Sequence, residues 1–133
     1  MASITDIDGI KDHHVESLRG VGIRTSDDLL EYGSSRRGRR ELSKVTGLGD
    51  RRITEWVKRA DLLRVPGIHI RYSNLLEAAG VDTVRDLRRR NVSKLVAEME
   101  RINARRHIVT RLPRTEEVQD WVDAAKKLPV VMR

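Results

Sequence analysis

The chain repeats itself, and the repeat limits its architecture more than any other feature. Residues Ile7 to Leu30 align without a gap on Val65 to Arg88, displaced by 58 positions, and seven of the 24 pairs are identical. Self-similarity at such a period indicates two copies of one supersecondary unit. The identical pairs are Gly9 with Gly67, Ile10 with Ile68, Leu18 with Leu76, Gly22 with Gly80, Thr25 with Thr83, Asp28 with Asp86 and Leu29 with Leu87. Gly22 and Gly80 fall where a helix ends in a left-handed residue. Thr25 and Thr83 open the next helix, each with an Asp three residues on, an arrangement close to a capping box and favoured by the helix dipole. No second titratable group recurs at a fixed spacing from these carboxylates, so they read as caps rather than as acid-base groups.

The later part of each copy aligns at a displacement of 65, pairing Glu55-Trp56-Val57 with Asp120-Trp121-Val122 and Ala60 with Ala125. The second copy is therefore seven residues longer in its middle, within Ser93 to Ile108. There Leu95, Met99 and Ile102 recur at spacings of four and three, the buried stripe of a longer helix, with Ser93 as its expected N-cap and Leu112-Pro113 beyond its end. Each Trp reads as a core anchor between the helices of its own copy. The expectation is an all-α chain of two tandem, internally duplicated modules of about four short helices each, residues 1–63 and 64–133.

Four positions in this repeat carry a turn between helices. Val45-Thr46-Gly47-Leu48-Gly49 has the full apolar-x-Gly-apolar-Gly pattern of a helix-hairpin-helix turn, followed by Asp50-Arg51-Arg52 at the start of a helix. The glycines permit positive φ and close backbone approach, Leu48 is expected to plug the turn into the core, and the exposed amides at the helix start suit a phosphate. Ile7-Asp8-Gly9-Ile10-Lys11 and Val65-Pro66-Gly67-Ile68-His69 keep the first Gly and replace the second. Thr110-Arg111-Leu112-Pro113-Arg114 has neither, and Pro113 removes a donor, so that turn reads as structural. Leu18-Arg19-Gly20-Val21-Gly22 matches the short pattern too, but its counterpart Leu76-Glu77-Ala78-Ala79-Gly80 keeps only the Gly that a helix end requires.

The succession Gly-Ile, Leu, Gly-(Ile/Val)-x-Thr-x-x-Asp-Leu and then Thr-Gly-Leu-Gly with a following Trp resembles the helix-hairpin-helix modules of archaeal recombinase N-terminal domains. More closely, the duplicated arrangement is similar to an uncharacterised bacterial family made of two such modules, over about Ile4 to Leu128. The resemblance implies an all-helical fold and non-sequence-specific DNA binding through hairpin amides. Lys11, His69 and Leu112 are its departures from the pattern.

Charge is unevenly spread along the 133 residues. Lys and Arg number 27 against 20 Asp and Glu, a net +7 that suits nucleic acid or an acidic partner. Residues 1–35 are locally −4, whereas Arg36 to Arg52 carries +5 beside the complete hairpin, and Arg85 to Arg111 carries +6. The DNA-binding candidates are accordingly Gly47, Leu48 and Gly49 with Arg51, Arg52, Arg36, Arg37, Arg39 and Arg40. Gly9, Lys11, Gly67, His69 and Arg71 are secondary. The bland reading of both basic runs is a solvated helix face.

Several classes find no support in the chain. Cysteine is absent, and His13, His14, His69 and His107 lack ligand spacing, so no metal site and no cofactor are expected. No Walker loop, nucleophile elbow or His-Glu-x-x-His occurs, and no enzyme is expected. Without a signal pattern or a long apolar run, a cytoplasmic protein with no membrane partner is expected. The leading expectation is a non-catalytic protein contacting DNA backbone without base readout. The alternative is an interaction adaptor whose helical scaffold meets an acidic protein. The apolar tail Pro129-Val130-Val131-Met132 either covers the end of the second copy or pairs with another subunit, and the oligomeric state stays open.

Overall fold

The computed structural model describes residues 2–132, and their regular structure is helical. Among the described residues there are eight α-helices and no strand, with an isolated antiparallel bridge between Ser3 and Thr25. The chain divides into two compact units, Met1–Leu63 with Val131–Arg133, and Arg64–Val130. The apolar tail is divided: Val130 stays with the second unit, and Val131 and Met132 group with the first. Pro129 belongs to the second unit, where its carbonyl accepts from Arg64 at 2.9 Å.

In the first unit a 3-10 turn (Ile4–Asp6) precedes α1 (Asp12–Arg19), α2 (Ser26–Gly33), α3 (Arg36–Thr46) and α4 (Asp50–Leu62). Helix α4 packs on both α2 and α3. Its side chains at Ile53, Trp56, Val57 and Ala60 follow the three-and-four spacing of one face, and all are buried. Gly33 lets α2 come close: a Cβ there would stand 2.5 Å from Val57 Cγ2. Leu29 is fully buried in α2, worth about 1.5–3 kcal/mol by transfer from water.

The second unit holds α5 (Ile70–Ala78), α6 (Val84–Leu87), α7 (Val92–Arg106) and α8 (Thr115–Lys127). Helix α8 packs on α6 and α7, and α7 packs on α5. The longer middle of this copy appears as an α7 of 15 residues against 11 in α3, followed by an irregular segment, 107–114, in place of Gly47 to Gly49. Helix α7 starts earlier than expected. Asn91, not Ser93, is its N-cap, with Oδ1 accepting from the Lys94 amide at 3.0 Å, and Ser93 lies inside the helix. Leu95 and Met99 are buried, while Ile102, in the last turns, is half-exposed.

At aligned positions the same local structures recur. Gly9 and Gly67 have φ of +94° and +90°, in turns closed by Ile10 N–H to Ile7 O at 3.2 Å and Ile68 N–H to Val65 O at 3.1 Å. Glycine is suited to that turn position, and each Gly also faces a buried Trp: a Cβ would lie 3.3 Å from Trp56 Nε1 and 3.0 Å from Trp121 Nε1. Gly22 and Gly80, with φ of +88° and +92°, follow α1 and α5. Thr25 and Thr83 each accept from an amide three residues on at 3.1 Å.

The two capping carboxylates have diverged. Asp28 returns the bond, accepting from the amides of Arg24 at 3.0 Å and Thr25 at 3.2 Å. Those two amides, Arg24 first, hold its pKa below the usual carboxylate value despite some desolvation. The Asp86 carboxylate accepts instead from Arg90, at 3.2 and 3.3 Å, so the expected reciprocal cap is replaced there by an i,i+4 ion pair.

Candidate nucleic-acid interface

Helix α3 carries a one-sided row of cations. At 100° per residue, Arg36, Arg40 and Lys44 follow one another at i, i+4 and i+8, and Arg37 falls on the same side. All four side chains are exposed, and none has an ion pair or hydrogen bond among the described residues. The row spans about 12 Å at 1.5 Å per residue and ends one turn before Gly47. Leu42 faces the other way, into the core.

Arg39 also faces inward, contrary to its expected place in the row. It is 9% exposed, and Nη1 donates to the carbonyls of Gly33 at 2.9 Å and Ser34 at 3.2 Å. Those carbonyls close the end of α2, so the guanidinium is a strut between α2 and α3. Burial lowers its pKa from the usual arginine value, helped by the charge of Arg36.

The complete hairpin divides its tasks between its glycines. Gly47 caps α3 in the left-handed region, φ +74°, with its amide bonded to Ser43 O at 2.9 Å. Gly49 lies in the extended region at φ −69°, so the positive φ expected of both glycines applies to one. As N-cap of α4, Gly49 provides no side-chain cap for the first-turn amides of Asp50, Arg51 and Arg52. A Cβ at either glycine would meet nothing within 4 Å, so the approach to the turn is open. Leu48 is half-exposed and does not plug the core as expected, and Val45 beside it is 50% exposed.

The charged residues that begin α4 are partly engaged. Arg51 is exposed, 3.8 Å from Glu55 on the next turn, a distance at which a surface pair contributes little. Arg52 Nη1 lies 3.0 Å from Nε2 of His14. His14 is buried against Trp56, ring centroids 5.0 Å apart, and its Nδ1 accepts from the Lys11 amide at 3.0 Å. Burial depresses the His14 pKa, and the charges of His13, Arg52 and Lys11 push it the same way. The structure therefore joins the secondary candidate Lys11 to Arg52 through a histidine not singled out in the sequence. Its signal was the 58-residue displacement, which pairs His14 with Tyr72: Tyr72 stands against Trp121 with centroids 5.1 Å apart.

The other secondary candidates are of two kinds. Gly9 sits in a turn held by Trp56 and by Arg59, which donates to the Asp8 carbonyl. Gly67, His69 and Arg71 lie in the second unit and line a cleft of its own, of about 620 Å³. The fourth turn is displaced from its aligned position: the left-handed residue that ends α7 is His107, φ 49°, where Gly47 ends α3. Four of the nine cations in the second basic run, 85–111, are partnered. Arg90 holds Asp86, Arg101 holds Glu98, Arg111 holds Glu117 at 2.7 Å, and Arg88 reaches the Lys126 carbonyl.

Among the described residues, no group of three or more His, Asp or Glu side chains gathers as metal ligands would, and no helix is long and apolar enough to cross a membrane. Fold and surface thus define an all-helical protein with a free cationic row leading to a glycine turn. The chain belongs to the family described as Domain of unknown function (DUF4332), whose model matches residues 8–128. No curated protein and no solved structure matches the chain.

Proposed function

We propose that the protein is a non-catalytic, helix-hairpin-helix DNA-binding protein that grips the phosphate backbone with its first unit. The observation that carries this reading is the row Arg36, Arg37, Arg40 and Lys44, unpaired and leading to the uncapped start of α4 at Gly49. Arg36 and Arg37, in the first turn of α3, oppose the helix dipole, so that end of the row is placed against local helix stability, whereas Lys44 in the last turn favours it. Phosphates on that face would meet four cations and then the amides of Asp50, Arg51 and Arg52, a combination of charge and donors suited to the backbone and indifferent to sequence.

Val45 supports a second reading. An apolar side chain 50% exposed beside a half-exposed Leu48 suits a protein partner better than a phosphate, and the same cations would then meet acidic side chains.

Titrating labelled duplex DNA at several salt concentrations separates the two. Four neutralised phosphates give a slope of about −3.6 in log K against log salt. Gly49→Val adds a side chain where only solvent stands and weakens DNA binding if amides meet phosphate. Absence of duplex binding at low salt overturns the DNA reading and leaves the acidic protein partner.

A further inference from the structure

The second unit contains a cleft that the interface on α3 does not use. Its volume of about 620 Å³ is within the range of small-molecule sites, about 300–1,000 Å³. One wall is aromatic. The His69 ring stacks on Tyr72 at 4.2 Å and 24°, and Tyr72 is itself backed by Trp121, so three rings stand in series from cleft to core. Tyr72 is 7% exposed and fixed by donating to the Arg111 carbonyl at 3.2 Å, whereas His69 is exposed. His69 is the N-cap of α5 but makes no side-chain cap bond, so its ring nitrogens are not used at the helix start.

The facing wall is the irregular segment after α7. Asn103 pins it from both sides, with Nδ2 donating to Val109 O at 3.1 Å and Oδ1 accepting from Val109 N–H at 2.9 Å. Such paired bonds make the wall preformed rather than a loose loop. Ile108, Val109 and Thr110 of this segment line the cleft. The charge of the cleft is positive: Arg71 and Arg111 line it against one carboxylate, Glu117, which already accepts from Arg111 and from Arg114 at 3.1 and 3.3 Å. Arg71 has no partner among the described residues.

We propose that this cleft binds a nucleoside 5′-monophosphate unit, with the base on the open side of the His69 ring and the phosphate at Arg71. A planar stacking face, a preformed wall opposite it and a free cation are the three complements such a ligand needs, and stacking on an aromatic side chain accepts any base. The ligand is either a free mononucleotide or an unpaired nucleotide of a single strand. The site is built from residues of the second unit and does not rest on the reading of α3, so either fails without the other.

Calorimetric titration of the full chain at low salt with adenosine 5′-monophosphate tests the proposal, with adenosine and inorganic phosphate as separate part-ligands. Saturable one-to-one binding of the nucleotide, tighter than of either part, is expected. His69→Ala and Arg71→Ala each weaken it about tenfold while the chain stays folded, both side chains being exposed. Failure to saturate, phosphate binding as tight as the nucleotide, or indifference to His69→Ala overturns it. A tetradeoxyadenylate bound more tightly than the mononucleotide, with the same His69 dependence, assigns the cleft to an unpaired strand. Equal or weaker binding assigns it to the free nucleotide.

Discussion

Arg52 Nη1 stands 3.0 Å from His14 Nε2, while the other ring nitrogen accepts the Lys11 amide at 3.0 Å. The Lys11 amide takes the one lone pair of the neutral ring at Nδ1, so Nε2 carries its hydrogen toward the guanidinium, and the Arg52 contact is a close approach rather than a hydrogen bond. Burial, His13, Arg52 and Lys11 all favour the uncharged ring, and Trp56 contributes no charge. The contact sets the first turn of α1 against the first turn of α4, which is where the proposed phosphate site begins.

The first prediction is a pH dependence of stability. The folded-state pKa of His14 lies below its ordinary 6.5, so as pH falls the unfolded chain takes up the proton first. The stabilisation is therefore complete above about 6.5 and is lost as pH falls from there toward the folded-state value, with a slope of at most about 1.4 kcal/mol per pH unit for one proton. His14→Tyr, which places in α1 the residue that α5 has at the aligned position, removes this titration. Urea unfolding at pH 7.5, 6.5 and 5.5 checks it: a slope from His14 that persists unchanged in the Tyr variant contradicts the assignment.

The second prediction contrasts glycines. Gly9→Ala and Gly67→Ala force a side chain into φ near +90° and against a Trp ring, and each is expected to cost more than about 1 kcal/mol, the second more because its contact is closer. Gly49→Ala faces open space in an extended conformation and is expected to cost about 1 kcal/mol or less, through poorer capping alone. Thermal melts of the three variants rank them. A melt in which Gly49→Ala is the most destabilised would show that its turn is structural.

The sequence carried the helices better than it carried the surface. Gly22, Thr25 and Asp28 encode their turn locally, through φ and two short hydrogen bonds, and such features can be read from spacing. Arg39 was not legible, because a guanidinium two residues from Arg37 looks the same in sequence whether it faces water or the carbonyls of Gly33 and Ser34. Leu48 misled for a related reason: an apolar residue in a turn reads as a plug, but its burial depends on where the neighbouring helices run. The cleft beside His69 depends on an Asn103 to Val109 clasp that no periodicity announces.

The third prediction follows from Arg39 and Arg40, adjacent in sequence and opposite in environment. Arg39→Ala leaves two inward carbonyls without their donor and is expected to cost about 1–3 kcal/mol of stability, with little change in the salt dependence of DNA binding. Arg40→Ala is expected to alter stability by no more than about 0.5 kcal/mol while reducing the salt slope by about 0.9. Urea unfolding and salt titration of both variants provide the check. If Arg39→Ala, still folded, reduces the slope as much as Arg40→Ala does, the row has been drawn on the wrong face of α3.

The fourth prediction concerns the one acid at the proposed contact point. Asp50 opens α4 directly after Gly49, where its charge favours the helix dipole but opposes a phosphate approaching the same amides. Asp50→Asn is therefore expected to lose about 0.3–1 kcal/mol of stability and to raise DNA affinity, most visibly at low salt where the repulsion is least screened. An acidic protein partner would respond in the same direction, so the variant is measured against both duplex DNA and a polyglutamate peptide. Tighter binding of DNA with a steep salt dependence, and none of the peptide, favours the phosphate reading. Unchanged DNA affinity at low salt would place the contact away from the start of α4.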